Sequence, residues 1–129
     1  MTDINTLINQ FTALPDWQAR YRALILLGKT LPAPSEAELG QMRQLGGCEV
    51  PIFFALENDK VRLYSQSRII NGLFVILLSQ LAALKNTPEA LDIHATLAKC
   101  GISDNLSATR LAGLKEIEKQ IKTALCPAN

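Results

Sequence analysis

One thiol in this sequence stands where a thiol can do chemistry. Cys48 follows Gly46-Gly47 and precedes the apolar run Ile52-Phe53-Phe54-Ala55-Leu56, so it falls on a connection rather than inside an element. Paired glycines give the backbone access to φ > 0 and keep bulk away from the sulfur. A free cysteine also serves as a small hydrophobe, and burial in a packed core is its commonest use. Placement on a loop argues against that use for Cys48. Cys100 closes the stripe Ile93, Leu97, Cys100, and Cys126 lies near the C-terminus, so both suit the packing role better. These three cysteines contain no CxxC pair and give no zinc or iron–sulfur ligand set, and His94 has no neighbouring ligand or nucleophile in sequence.

Arg110 is the second residue of interest. Ser107 reads as a helix N-cap, which puts Arg110 in the first turn, at the positive end of the macrodipole. A cation there costs up to about 1 kcal/mol, so local helix stability does not explain it. The alternatives are an exposed arginine with a carboxylate neighbour and a partner for an anion or thiolate. No P-loop, GxGxxG, GxSxG or HExxH motif occurs. With one histidine and no acid–base pair, an autonomous hydrolase or dehydrogenase is not indicated.

The elements that position these residues follow from periodicity. Ile4, Leu7, Ile8 and Phe11 predict an amphipathic helix that Pro15 ends. Asp16 then caps a second helix with Trp17, Tyr21, Leu24 and Ile25 on one core-facing stripe and Gly28 as its C-cap. Ser35 to Arg43 predicts a short third helix. The period changes at Pro51: residues 51–56 and 61–64 read as a β-hairpin turning at Glu57-Asn58-Asp59-Lys60, with a short third strand within 41–46. Arg68 to Leu84 is apolar on nearly every side, the mark of a central buried helix. Thr87-Pro88-Glu89 reads as the start of another helix, and Leu111, Leu114, Ile117, Ile121 and Leu125 form the stripe of a last one. Gly72 and Gly113, inside helical patterns, read as devices for close helix approach. Lys115, Lys119 and Lys122, balanced by Glu116 and Glu118, read as a solvated face. The layout is α+β, in a single domain over residues 1–129.

Thirteen Lys plus Arg against twelve Asp plus Glu leave a net charge of +1 over 129 residues. That balance argues against an electrostatic binder of nucleic acid or acidic lipid. The longest unbroken apolar stretch, Leu73 to Leu78, is far short of the roughly 20 residues that span a bilayer. An acidic start, no visible export signal and an odd number of cysteines predict reduced thiols in the cytoplasm.

The chain resembles the SufE/CsdE family, the sulfur acceptors that work with PLP-dependent cysteine desulfurases in iron–sulfur cluster assembly. The resemblance runs from Trp17-Gln18-Ala19-Arg20-Tyr21-Arg22 through Leu26-Leu27-Gly28-Lys29-Thr30-Leu31-Pro32, Gly47-Cys48, and Ser65-Gln66-Ser67-Arg68-Ile69-Ile70-Asn71-Gly72-Leu73. It ends at Leu106-Ser107-Ala108-Thr109-Arg110 with Gly113-Leu114. It implies helices flanking a small antiparallel sheet of about three strands, as in the scaffold protein IscU. It further implies that Cys48 forms the persulfide and that Arg110 lies near it as an electrostatic helper. No resident cofactor or metal is implied; the pyridoxal phosphate belongs to the partner desulfurase. A cluster scaffold or another sulfur acceptor is a further implied partner. The chain departs from the family pattern at Glu49-Val50-Pro51-Ile52-Phe53, at Gln66-Ser67 and at Leu111-Ala112. Two other readings of the same thiol are a non-catalytic desulfurase-binding regulator and a redox sensor pairing Cys48 with Cys100 or Cys126.

Overall fold

The computed structural model describes residues 2–45, 50–58 and 60–126. Three helices open the chain: α1 (Ile4–Thr12), α2 (Trp17–Gly28) and α3 (Glu36–Gln41). Strands β1 (Arg43–Leu45), β2 (Ile52–Glu57) and β3 (Lys60–Tyr64) follow, then α4 (Arg68–Ala83), α5 (Ile93–Lys99) and α6 (Ala108–Leu125). This is the α+β arrangement expected from the periodicity. The sheet is antiparallel in the order β1-β2-β3, with Leu45 opposite Ile52, Arg43 opposite Phe54, and Phe53 opposite Tyr64. The hairpin turns tightly, and Asn58 takes the left-handed conformation (φ 51°) that asparagine tolerates.

Helix α4 is the spine of the core. Phe74, Ile76 and Leu77 are wholly enclosed, and α4 packs against α1, α2, α5 and β3. Its contact with α2 is a backbone-to-backbone approach through two glycines. A Cβ on Gly72 would lie 2.9 Å from the carbonyl carbon of Leu24 and closer to its oxygen. A Cβ on Gly28 would lie 2.9 Å from the Gly72 nitrogen and would overlap the Arg68 carbonyl. Gly72 is thus the packing device expected. Gly28 differs from expectation: it is the last helical residue of α2 and serves this contact, while Lys29 occupies the C-cap. Gly113 is buried on α6.

Most of the expected core stripe on α2 is present, with Tyr21 as the exception. Leu24 and Gly28, one turn apart, are the fully buried positions, and Ile25 packs partly buried against the core beside them. Trp17 is left partly buried and Tyr21 is 40% exposed, the two rings meeting edge to face at 5.8 Å. Arg20, by contrast, turns inward and fastens three segments. Its guanidinium donates to the carbonyls of Phe11 (3.0 Å), Leu14 (3.1 Å) and Gly101 (3.4 Å).

A second correction concerns Thr87. Its side chain caps nothing, and Pro88–Ala90 form only a single 3₁₀ turn. Leu91 then turns into the core and Asp92 provides the true cap of α5, accepting from Ala95 N–H at 3.0 Å. Glu118 is likewise no part of a purely solvated face. Its Oε1 accepts from the Ile93 N–H at 2.7 Å, closing the first turn of α5 from α6, while its other oxygen pairs with Lys122 at 3.6 Å.

Candidate functional site

The site is framed by one end of the sheet. Leu45 and Ile52 are the last pair between β1 and β2, and Tyr64, opposite Phe53, ends β3 there. The connection that carries Cys48 leaves and re-enters the sheet at that pair. Cys48 itself, with Gly46, Gly47 and Glu49, lies outside the described residues.

A buried polar clamp closes the same end. Ser65, directly after β3, is completely enclosed. Its N–H donates to Asn71 Oδ1 at 2.8 Å, and Asn71 Nδ2 donates to its carbonyl at 2.7 Å. One side-chain amide therefore satisfies both backbone groups, as a neighbouring strand would. Ser65 Oγ accepts from Ser67 N–H at 3.1 Å, and Ser67 Oγ caps α4 through Ile70 N–H. These bonds tie the first turn of α4 to the sheet end.

Helix α6 brings Arg110. Ser107 caps it as expected, accepting from the Arg110 N–H at 3.1 Å. Arg110 lies four, seven and eleven residues before Leu114, Ile117 and Ile121, all buried, so it belongs to the inward stripe of the helix. The residue is partly buried, and its Nε is enclosed with no hydrogen-bond partner among the described residues. The carboxylate neighbour that would make Arg110 an ordinary surface cation is absent among those residues.

Two contacts orient α6 along the sheet. Leu125 lines a cavity of about 600 Å³ with Lys60 and Val61, beside the hairpin turn. Five residues earlier, Gln120 Oε1 accepts from Arg43 Nη2 at 3.2 Å, and the Arg43 guanidinium lies 5.2 Å over the Phe54 ring. Followed backward, α6 thus runs from the hairpin turn toward the framed end, and Arg110 lies about 15 Å beyond Gln120 along its axis.

The remaining thiols are poorly suited to nucleophilic work. Cys100 is fully enclosed in the core, and burial pushes its thiol up to about 11 against a weak opposing pull from Arg20. Burial and the Glu89 carboxylate, which accepts from Cys126 Sγ at 3.6 Å, also raise Cys126. His94 is exposed on α5. Asn71 and Arg20 were not singled out as individual residues by sequence reasoning. A lone asparagine amid Ile69-Ile70-Asn71-Gly72-Leu73, on a helix apolar all round, was the available signal for a satisfied buried amide.

Among the described residues, a three-stranded sheet packs with six helices, a buried polar clamp closes one sheet end, and a partly buried arginine lies in the first turn of α6. Residues 5–125 match the family model SufE, the Fe-S metabolism associated domain, and the chain belongs to that family. It is 39% identical over 127 residues to a SufE-like protein of Haemophilus influenzae, covering 93% of this chain and 99% of that one. It is 35% identical over 127 residues to the sulfur acceptor protein CsdE of Escherichia coli, covering 92% and 85%. The cysteine desulfuration protein SufE of Wigglesworthia glossinidia brevipalpis is 28% identical over 121 residues, covering 89% and 84%. No helix among the described residues is long and apolar enough to cross a membrane.

Proposed function

We propose that this protein accepts sulfur from a cysteine desulfurase onto Cys48 and carries it, as a persulfide, toward iron–sulfur cluster assembly in the cytoplasm. The observation that carries the reading is Arg110: a partly buried arginine whose enclosed Nε meets no acceptor among the described residues. A buried donor left unpaired costs about 1–3 kcal/mol, and an anionic sulfur is an acceptor of the required charge. Membership of the Fe-S metabolism family, and relatives named for sulfur acceptance and cysteine desulfuration, support the same assignment.

Chain length also favours it. Cys48 is three residues from Leu45, so its Cα stays within about 11 Å of the framed sheet end. The N-terminal end of α6 points toward that end, and its dipole favours a thiolate in the same sense as the guanidinium.

The step needs no outside oxidant or reductant. The Cys48 thiolate attacks the terminal sulfur of a persulfide on the desulfurase. The donor's S–S bond breaks, its cysteine leaves as a thiolate, and a new S–S bond forms on Cys48. One sulfur atom moves and the electron count is unchanged. The pyridoxal phosphate that generated the persulfide stays with the donor.

Incubation with a cysteine desulfurase and L-cysteine, followed by intact mass measurement, tests the reading. The wild-type chain is expected to gain the mass of one sulfur atom, and Cys48→Ser to gain none. No gain in the wild type would sink it. Donor binding preserved in Cys48→Ser, with no transfer in the wild type, would select the regulator reading instead. Enclosure of Cys100 in the core disfavours a redox sensor that uses it as the second thiol.

A further inference from the structure

We infer that the outer stripe of α2, Arg22-Leu26-Lys29, together with Arg68 at the start of α4, is a docking face for an acidic protein surface, that of the sulfur donor. The donor's identity rests on the reading above; the face itself is argued from charge and exposure.

The chain carries nearly equal numbers of acids and bases, yet their distribution is uneven. No Asp or Glu occurs from Trp17 to Ser35, nor from Lys60 to Pro88. The charged side chains of α2 and of the start of α4 are therefore all cationic. Arg20 is consumed by its three carbonyls, but Arg22, Lys29 and Arg68 are exposed and pair with no carboxylate among the described residues.

Position puts Arg22 and Lys29 on one surface. Arg22, Leu26 and Lys29 stand at i, i+4 and i+7, on a single stripe of α2. Leu26 is 61% exposed, the most exposed large apolar side chain described. A lone exposed leucine is ordinary. A leucine set between two free cations, on a layer with no carboxylate, has the layout of an interface: an apolar contact inside a charged rim. The complementary surface is an apolar recess ringed by Asp and Glu.

The face also adjoins the framed sheet end. Gly28 abuts the Arg68 carbonyl, so the C-terminal turn of α2 lies against the first turn of α4. That turn is bonded through Ser67 and Asn71 to Ser65 and the end of β3. A partner seated on the α2 stripe would meet the same end of the molecule from which the Cys48 connection departs.

The test measures equilibrium binding of the full chain to the cysteine desulfurase of the same organism, in about 50 mM and about 500 mM salt. The double variant Arg22→Glu/Lys29→Glu should raise Kd roughly tenfold or more in low salt, and the wild-type advantage should shrink in high salt. Leu26→Ser should weaken binding with no change in salt dependence. All sites changed are exposed, so thermal unfolding and the rate of Cys48 alkylation by iodoacetamide serve as checks that fold and thiol are intact. Equal binding by wild type and the double variant overturns the inference, as does no binding by the wild type. Charge-dependent binding without sulfur gain would instead leave the docking face standing and remove the sulfur-acceptor reading.

Discussion

The carboxamide of Asn71 holds both backbone polar groups of Ser65, at 2.8 Å and 2.7 Å, inside a region closed to water. The amide stands in for a strand that the three-stranded sheet does not have, and it welds α4 to the sheet where the candidate site begins. Removing it leaves a buried N–H and a buried C=O without partners. Asn71→Ala is expected to lower stability by about 2–6 kcal/mol, since each of the two orphaned groups costs about 1–3. Urea unfolding of the two proteins measures the difference, and a loss under about 1 kcal/mol would show that water replaces the amide.

Gly72→Ala tests the crossing of α2 and α4. Helix propensity alone would make alanine better by up to about 1 kcal/mol. The Leu24 backbone stands in the way of the added methyl, so the helices must part and loosen the core around them. The net effect expected is a destabilisation of about 2 kcal/mol or more. An unchanged or raised melting temperature would mean that the two backbones separate without cost.

Cys100 predicts a specific response to alkali. Its thiol is raised from 9.0 to about 11 in the folded chain, so the neutral form is favoured by folding. Its contribution is fully present below about 9 and is lost as pH rises through about 11, because the unfolded chain releases its proton first. The slope from this group is at most about 1.4 kcal/mol per pH unit. Cys100→Ala, less stable at neutral pH through its cavity, should show a shallower decline between pH 9 and 11 in urea midpoints. Parallel declines would assign the alkaline loss to other groups.

Arg110 separates stability from reactivity. Its enclosed Nε, without a partner among the described residues, contributes little to holding the fold, and Met has similar length without the charge. Arg110→Met is therefore expected to unfold at or above the wild-type midpoint, yet to take up sulfur at least about tenfold more slowly in the desulfurase assay. Equal uptake by the two proteins would remove Arg110 from the chemistry.

Much of this architecture was legible because its segments keep one period. The change to β-type residues at 51–56 and 61–64, and the all-round apolar run of α4, led directly to the sheet and the spine. On α2 only Tyr21 departs from the expected stripe: its size suggests burial, whereas the contact with α4 is made at Leu24, Gly28 and Gly72. The aromatic pair sits at the margin of that contact, Trp17 partly buried and Tyr21 exposed. At Thr87, Pro88 suggested a helix start, but Leu91 has its burial only if the chain turns first, and Asp92 then caps.

The candidate site was legible in part. Arg110 stood out as a cation at the wrong end of a dipole, and the structure adds that it lies on the buried stripe without a partner among the described residues. The clamp was not legible in detail, because the bonds of Asn71 run to a residue six positions away in another element. Cys48, the thiol that drew attention first, lies outside the described residues, so the case for it rests on its loop position and on the family.

The bond from Glu118 to the Ile93 N–H joins the middle of α6 to the beginning of α5. Sliding or turning α6 by even a fraction of a turn would break that bond and expose a helix start. The arm that carries Arg110 is therefore latched at its midpoint by a carboxylate two turns away. The two helices therefore behave as one piece, and Arg110 keeps its place along it.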